Sequence, residues 1–328
     1  MKRRKFYKGI LTHCYQRSAD DGVLFYTYSD HLVYFTHYCI LARKYGIRVL
    51  SLCQMPDHIH DSVTADRKED LAKFKRQVNT DCSRCWNERF HSKGAVLKAR
   101  YGSAPKLDAK KGRSNLVYVG NNPVERKLVK KAEDYRWNYL AYARSDHPFS
   151  DQLTIRNARW PLRKAVREVK LQFRAGKPLN YVQLQRLFQP LNHKESLQLT
   201  DFIITTYNCI DFDAAIRFFD SHQDMLTAMH ATTGSEHNIK EVFVGKTDAP
   251  YVQMAAFLLK NRYLNDIHDL VSLTLDQKYD LFCKLRPITD APGEQIAKFL
   301  HMPLKREKKM RTNPLAEERA REMEMTEI

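Results

Sequence analysis

Clustered and alternating apolar residues in the first 150 positions predict a mixture of strands and helices. Stretches rich in aromatic and β-branched residues predict four strands, over Phe6–Arg17, Val23–Tyr28, Ile47–Cys53 and Ile59–Thr64. The first two flank the turn cluster Asp20–Gly22, which favours a hairpin. Apolar residues at helical spacing predict helices, over Leu32–Tyr45, Leu71–Phe90 and, interrupted at Pro123, Ser114–Tyr142. With a basic loop over His91–Lys111, this order predicts an α+β fold, in which helices lie on one face of an antiparallel sheet.

The residues after about Leu153 show helical spacing with few strand signals. The predicted helices are Arg163–Phe173, Val182–Leu187, Leu197–Tyr207, Phe212–Phe219, Tyr251–Leu259 and Leu275–Leu285. We place a domain boundary near Ser150, which gives a mixed domain over residues 1–150 and a mostly helical domain over residues 151–304. Residues 305–328 are almost all charged and rich in Met, so we expect a frayed helix or a disordered tail there.

Positive charge is concentrated in the first half of the chain. The sequence has 328 residues, 43% of them hydrophobic, which excludes a disordered protein and favours about two globular domains. Its 55 Lys and Arg outnumber 38 Asp and Glu, and residues 1–150 contain 29 basic against 15 acidic side chains. A compact domain with that surplus repels itself unless it binds a polyanion. Nucleic acid is therefore the first candidate partner, and an acidic membrane, which no basic amphipathic helix supports, is the second.

The sequence also favours a cytoplasmic location. Polar residues follow the basic stretch Lys2–Lys5 where a secretory signal would need an apolar core. The apolar runs are too short to span a membrane. The seven cysteines are odd in number and scattered, which is typical of reduced thiols and not of a disulfide framework.

Two short motifs contain candidate catalytic residues. His58 and His60 stand two apart on a predicted strand, so both imidazoles face one side, where they could bind one metal ion. Taken alone, the pair is equally consistent with surface or core histidines. Tyr118 and Asn122 stand four apart on a predicted helix and share a face, and Pro123 predicts that Asn122 closes the last helical turn. A buried tyrosine and a capping asparagine remain an alternative interpretation.

Taken together, the motifs resemble those of a known family. Met55–His60, the stretch Tyr118-Val-Gly-Asn-Asn-Pro-Val and the stretch Glu133-Asp-Tyr-Arg-Trp-Asn are similar, in order and spacing, to the one-tyrosine HUH transposases, and among them to the REP-associated tyrosine transposases. The resemblance covers roughly residues 5–145. It implies a ferredoxin-like core with an antiparallel sheet, the two histidines on a central strand and the tyrosine on a nearby helix.

The resemblance also implies a chemistry for these residues. Tyr118 would be the nucleophile that forms a 5′-phosphotyrosine, and His58, His60 and Asn122 would hold Mg²⁺ or Mn²⁺. The expected partner is single-stranded DNA at hairpin or repeat ends, bound by a monomer or a homodimer. Asp57 stands where the family usually has Asn, and we interpret it as a group that orients an imidazole. Asp61 stands where the family has an apolar residue, and its effect on metal and DNA binding is left open.

Basic and aromatic residues before Tyr118 are candidates for gripping DNA. They are Lys98, Arg100, Tyr101, Lys106, Lys110, Lys111 and Arg113. Cations could contact the phosphates while the aromatic ring stacks on an unpaired base, although each cation could equally be an ordinary solvated charge. Lys2–Lys5 could reach a hairpin in the same way.

One segment of the second half offers a further DNA-reading motif. Residues 291–311 could form a helix-turn-helix, with Ile296, Ala297 and Leu300 buried and a second, basic helix from Leu304. A plain helical hairpin is the alternative. Two functions therefore compete: a transposase-like enzyme that nicks and joins single-stranded DNA, and a domesticated DNA-binding regulator that does not cut.

Overall fold

A four-stranded antiparallel sheet forms the centre of the N-terminal half. The computed structural model describes residues 5–231 and 244–303. The strands are β1 (Thr12–Arg17), β2 (Arg48–Gln54), β3 (His58–Thr64) and β4 (Gly102–Pro105), in the spatial order β2-β3-β1-β4. The register places Tyr15 of β1 and Cys53 of β2 on either side of His60. His60 therefore lies on a central strand.

Helices cover both faces of this sheet. They are α1 (Tyr28–Lys44), α2 (Lys68–Phe90) and α3 (Ala109–Glu125), followed by short 3-10 turns at Ala132–Asp134 and Tyr139–Tyr142. A capping box between Thr27 and Asp30 starts α1. Strand alternation divides the sheet: Ile59 packs into the core with α1 and α2, whereas Ser62 bonds to Asn115 of α3. The α+β class predicted from the sequence is confirmed, but helices lie on two faces instead of one.

The second half is helical in its described residues. Its α-helices are α4 (Trp160–Arg174), α5 (Tyr181–Phe188), α6 (His193–Tyr207), α7 (Phe212–Ile216), α8 (His222–Ala231), α9 (Ala249–Lys260), α10 (Leu275–Leu285) and α11 (Gly293–Phe299). Two 3-10 turns, Ile267–Val271 and Arg286–Ile288, lie between them. Side chains of α4, α5 and α6 share one core with α1, while α9, α10 and α11 form a second core. The first core thus extends across the predicted boundary near Ser150.

The predicted N-terminal hairpin is wrong. Residues 23–28 form no strand, and β1 pairs with β3 and β4 instead. The apolar side chains of Val23, Leu24 and Phe25 are buried in the core although their backbone is not a strand. The backbone N–H groups of Leu24 and Phe25 donate to the Pro56 carbonyl. The predicted loop before Tyr118 also contains β4, whose sequence Gly-Ser-Ala-Pro has low strand propensity. Pairing with β1 alone makes this segment a strand.

The helix with Tyr118 also continues past its predicted end. Asn122 does not close α3, because Pro123 lies inside the helix, which ends at Glu125. Proline removes one backbone donor from the helical ladder. The Gly120 carbonyl, next to the Val119 carbonyl that loses its helical donor at Pro123, accepts a hydrogen bond of 2.7 Å from Asn138 Nδ2, so α3 is also bonded from outside the helix.

Some sequence predictions fall on residues that the structure does not describe. Lys2–Arg4, the second half of the possible helix-turn-helix and the charged tail from residue 305 lie outside the described ranges. The first helix of that motif is present as α11, and Ile296, Ala297 and Leu300 are buried. Across residues 5–231 and 244–303, every helix is too short or too polar to cross a membrane.

Candidate active site

The two histidines of β3 point toward α3. His58 and His60 are buried on the sheet face opposite Ile59, because alternate strand residues face opposite sides. Their ring centroids are 4.8 Å apart. The His58 ring is held by Asp57, whose Oδ1 lies 2.5 Å from His58 Nδ1. The other carboxylate oxygen, Oδ2, accepts a hydrogen bond from Lys298 Nζ of α11.

A third histidine belongs to the same cluster. His13 of β1 is buried, and its Nε2 lies 3.0 Å from Nδ1 of His60. Tyr15, two residues further on β1, places its ring 4.9 Å from the His60 ring and 5.5 Å from the His58 ring. The sequence pattern does not identify either residue, because it predicts that β1 pairs with residues 23–28 and not with β3. Once β1 and β3 are known to be neighbours, strand alternation identifies them.

Tyr118 of α3 faces these rings. Its ring centroid lies 5.6 Å from that of His60 and 5.9 Å from that of His13. One turn earlier on the helix, Asn115 Oδ1 accepts a hydrogen bond of 2.7 Å from Ser62 Oγ, which connects α3 to β3. This hydrogen bond between α3 and β3 therefore helps to orient the helix face that carries Tyr118 toward the histidines.

Asn122 lies one helical turn beyond Tyr118 and is fully buried. Its Nδ2 donates to the Tyr118 carbonyl at 3.4 Å, whereas its Oδ1 accepts no hydrogen bond from the described part of the chain. A buried amide oxygen left without a donor is rare, and it suits a cation. No group of three or more His, Cys, Asp or Glu side chains arranged for a metal occurs in residues 5–231 and 244–303. The donors available here are two imidazoles and one amide oxygen.

Burial shapes the electrostatics of the cluster. Desolvation, together with the neighbouring His58 and His13, holds the pKa of His60 well below its usual value. The ring is therefore neutral at pH 7, as metal ligation requires. Burial alone would raise the pKa of Asp57, but His58 and Lys298 outweigh it and the pKa lies below its usual range. Asp57 is thus an anion at pH 7.

Asp61 lies on the other side of the sheet. Its carboxylate accepts from Lys75 Nζ at 2.5 Å and from the Tyr38 hydroxyl at 2.7 Å, between β3 and the helices α1 and α2. All three side chains are buried. The Asp61 carboxylate, whose effect the sequence left open, therefore neutralises the buried Lys75 and does not face the imidazoles.

The residues predicted to grip DNA are placed unevenly. Lys98 is ion-paired with Asp21 at 2.6 Å, and Lys106 is buried. Tyr101 is half-buried. The exposed members are Arg100, Lys110, Lys111 and Arg113. Three of these exposed cations lie at the start of α3, where Lys111 also pairs with Asp108 at 3.0 Å and Arg113 stacks on Phe219.

Comparisons with known proteins identify a matching family and a similar solved structure. Residues 24–105 match the family described as IS200-like transposases, which confirms the resemblance drawn from the motifs. The matched range includes both histidines of β3 and ends before Tyr118. A solved structure of a REP-associated tyrosine transposase bound to a REP hairpin is similar to 43% of this chain and 82% of its own, with 15% identity and a TM-score of 0.38. No curated protein matches the sequence.

Proposed function

We propose that this chain is a single-strand DNA endonuclease and strand-transfer enzyme, because residues 24–105 match the family of IS200-like transposases. One observation supports this most strongly. The Tyr118 ring and the imidazoles of His58 and His60 lie together between β3 and α3. His60 and Tyr118 are 58 positions apart in the chain, so it is the fold that brings them together. One helical turn after Tyr118, Asn122 has a buried amide oxygen that accepts no hydrogen bond from the described part of the chain and that suits a cation.

In this proposal, His58, His60 and Asn122 hold Mg²⁺ or Mn²⁺. Neutral nitrogen and amide oxygen donors leave the full positive charge of the ion available to the substrate. When bound, such an ion polarises the scissile phosphate and reduces its repulsion of an incoming oxyanion. Asp57 orients His58 by accepting from Nδ1, which leaves Nε2 as the ligating nitrogen. His13 plays the corresponding part for His60.

Tyr118 is the proposed nucleophile. Its hydroxyl loses a proton and attacks the phosphorus, so that a tyrosine O–P bond forms and the bond to the 3′ oxygen breaks. The products are a 5′-phosphotyrosine and a free 3′-OH, which takes up a proton. Because the phosphodiester energy is conserved in the adduct, the 3′-OH of another strand can reverse the step and join DNA without ATP. The exposed cations at the start of α3 would hold the backbone of the single strand.

The burial of the site favours a second candidate function, a DNA-binding regulator that does not cut. Tyr118 is only 8% exposed and His60 is fully buried. A phosphodiester reaches these side chains only if covering residues move. In a regulator the covering residues would not need to move, and the cluster would only stabilise the fold.

Covalent trapping distinguishes the two functions. The purified full chain is incubated with Mg²⁺ and labelled single-stranded hairpin DNA, and adducts that survive denaturation are counted. We expect an adduct with the wild type and none with Tyr118→Phe, whose ring still packs and whose DNA affinity is unchanged. Tyr139→Phe is the matched control, because this buried tyrosine also contacts α3, through the Leu116 carbonyl. An adduct that persists in Tyr118→Phe would assign the nucleophile to another residue, and none in the wild type would favour the regulator.

A further inference from the structure

The C-terminal helix α11 contacts the residue that holds His58. Lys298 Nζ donates to Asp57 Oδ2, while Asp57 Oδ1 faces His58 Nδ1. The carboxylate is therefore held at both oxygens, by an imidazole on one side and an ammonium group on the other. Lys298 and the side chain of Asp57 are 8% and 11% exposed, so the pair is shielded from water.

From this chain of contacts we infer that Lys298 is a positioning residue of the active site. It fixes the Asp57 carboxylate, and through it the orientation of the His58 imidazole toward a metal ion. The inference rests on the metal site of the proposed function and adds to it a residue that lies 241 positions along the chain from Asp57. Lys298 lies in the possible helix-turn-helix segment 291–311, and the sequence motifs of the metal site do not point to it.

The lysine is held firmly enough for such a role. Its neighbours on α11, Ile296 and Phe299, are fully buried in the second core. The Phe299 carbonyl accepts a hydrogen bond of 2.6 Å from the Tyr26 hydroxyl, which attaches α11 to the N-terminal half. A side chain on a helix that is anchored at adjacent residues has few alternative positions, so its partner carboxylate has few as well.

A second contact links the C-terminal helices to the end of α3, the helix that carries the proposed metal ligand Asn122. Arg126, which directly follows α3, donates to Asp248 Oδ1 at 3.0 and 2.6 Å, and both side chains are buried. Asp248 immediately precedes α9. Residues 248–299 therefore contact β3 beside His58 and the end of α3 beyond Asn122. The proposed metal site is completed by residues far outside the N-terminal half.

Mn²⁺ titration by calorimetry, without DNA, tests the role of Lys298. Lys298→Met keeps the length of the side chain and removes its charge, and we expect Mn²⁺ affinity to fall about 10–100-fold, as for other groups that orient a metal ligand. Lys298→Arg keeps a cationic donor and should restore most of the affinity. Lys278→Met is the matched control, because Lys278 is an equally buried lysine of the same segment that donates to the His301 carbonyl and not to Asp57.

A double variant separates positioning from general stability. In an Asp57→Asn background the neutral amide still accepts from His58 Nδ1 and needs no cation, so Lys298→Met should weaken Mn²⁺ binding much less than in the wild type. This variant also lacks the unpaired buried carboxylate that could prevent Lys298→Met alone from folding. A purely structural lysine would change the melting temperature but leave Mn²⁺ affinity unchanged in both backgrounds.

The outcomes distinguish this inference from the function beneath it. Unchanged Mn²⁺ affinity in folded Lys298→Met, with binding abolished in His58→Ala, would overturn the role of Lys298 alone. An equal loss in Lys278→Met would also overturn it. Failure of the wild type to bind Mn²⁺ would overturn the metal site and this inference together.

Discussion

His58 and His60 share a face of β3, yet different neighbours hold them: a carboxylate for the first ring and another imidazole for the second. Each ring presents one nitrogen to its neighbour, so removing either ring removes a proposed ligand. We expect His58→Ala and His60→Ala each to weaken Mn²⁺ binding by more than the roughly 100-fold upper range for groups that only orient ligands. Calorimetry on the two variants measures the loss.

The matched control for these variants is His37→Ala. His37 is also buried, but its Nδ1 bonds to the Val33 carbonyl within α1, on the other side of the sheet. This variant should leave a cavity of similar size without changing Mn²⁺ affinity. Equal affinity in all three variants would exclude β3 as the metal site.

For individual residues, the sequence predicts that His58 and His60 share one face of a strand but not which side chains surround them. A two-residue spacing is sufficient to place His58 and His60 on one strand face. His13 escaped prediction because its proximity to His60 depends on which strands pair. Lys298 escaped it because contact between α11 and β3 depends on the packing of the whole C-terminal half. Local pattern does not encode either distance.

The geometry of α3 depends on a side chain from outside the helix. Asn138 is buried, and its Nδ2 donates to the carbonyls of Gly120 and Ala132 at 2.7 and 2.9 Å. In Asn138→Leu both carbonyls lose this donor, which should reduce the free energy of unfolding by about 1–3 kcal/mol per carbonyl left unsatisfied. Urea unfolding followed by circular dichroism measures the change.

An exposed asparagine provides the comparison for Asn138→Leu. Asn261 Nδ2 also donates to a backbone carbonyl, that of Phe257, at 2.9 Å, but water can replace this donor. Asn261→Leu should therefore change the free energy of unfolding by less than about 0.5 kcal/mol. Equal decreases in the free energy of unfolding of the two variants would show that the buried bond to Gly120 stabilises the protein no more than the exposed bond to Phe257.

The sequence predicted helices well where a helix buries a single apolar face, because such a face repeats at helical spacing along the chain. The helices α4, α5, α6 and α10 lie close to their predicted ranges because each has a clear apolar stripe. The errors occurred where a partner decides the structure. Residues 23–28 have strand-like composition but pack as an irregular segment, and β4 becomes a strand only by pairing with β1. Pro123 lies inside α3, although proline removes one backbone donor and is therefore expected to end a helix.

Across the whole molecule, a buried histidine joins the two halves. His268, in the 3-10 turn after α9, lies between Asp30 of α1 and Asp266, at 2.9 and 2.7 Å. Burial lowers its pKa, but the two carboxylates outweigh burial and raise the pKa to about 9. A pKa raised above the unfolded value of about 6.5 stabilises the folded state fully below pH 6.5. That contribution, about 3 kcal/mol, is lost as the pH rises through 9.

Urea unfolding between pH 6 and pH 10 tests this pH dependence. The free energy of unfolding of the wild type should fall across pH 6.5–9, and His268→Gln, which cannot be charged, should remove most of that slope. Comparison of the two proteins cancels the titration of cysteines and other groups. Parallel curves would mean that the pKa of His268 is the same in the folded and unfolded protein.

The sequence could not predict how the two halves combine. Charge and motifs placed DNA binding and the catalytic residues before Ser150, which suggested an independent N-terminal domain. In the structure α1 packs against α5 and α6, and Lys298 reaches Asp57. Helix stripes show that an element has a buried face, but they do not identify the element that covers it.

The distance along the chain between Asp57 and Lys298 has a consequence for synthesis of the protein. The ribosome releases β2 and β3 when most of the helical half is still untranslated. During that interval Asp57 has no lysine partner, and its carboxylate faces water or the folding chain. Lys298 is the 241st residue added after Asp57. Nascent chains therefore contain the histidine strand and Tyr118 long before the lysine that pairs with Asp57 has been added.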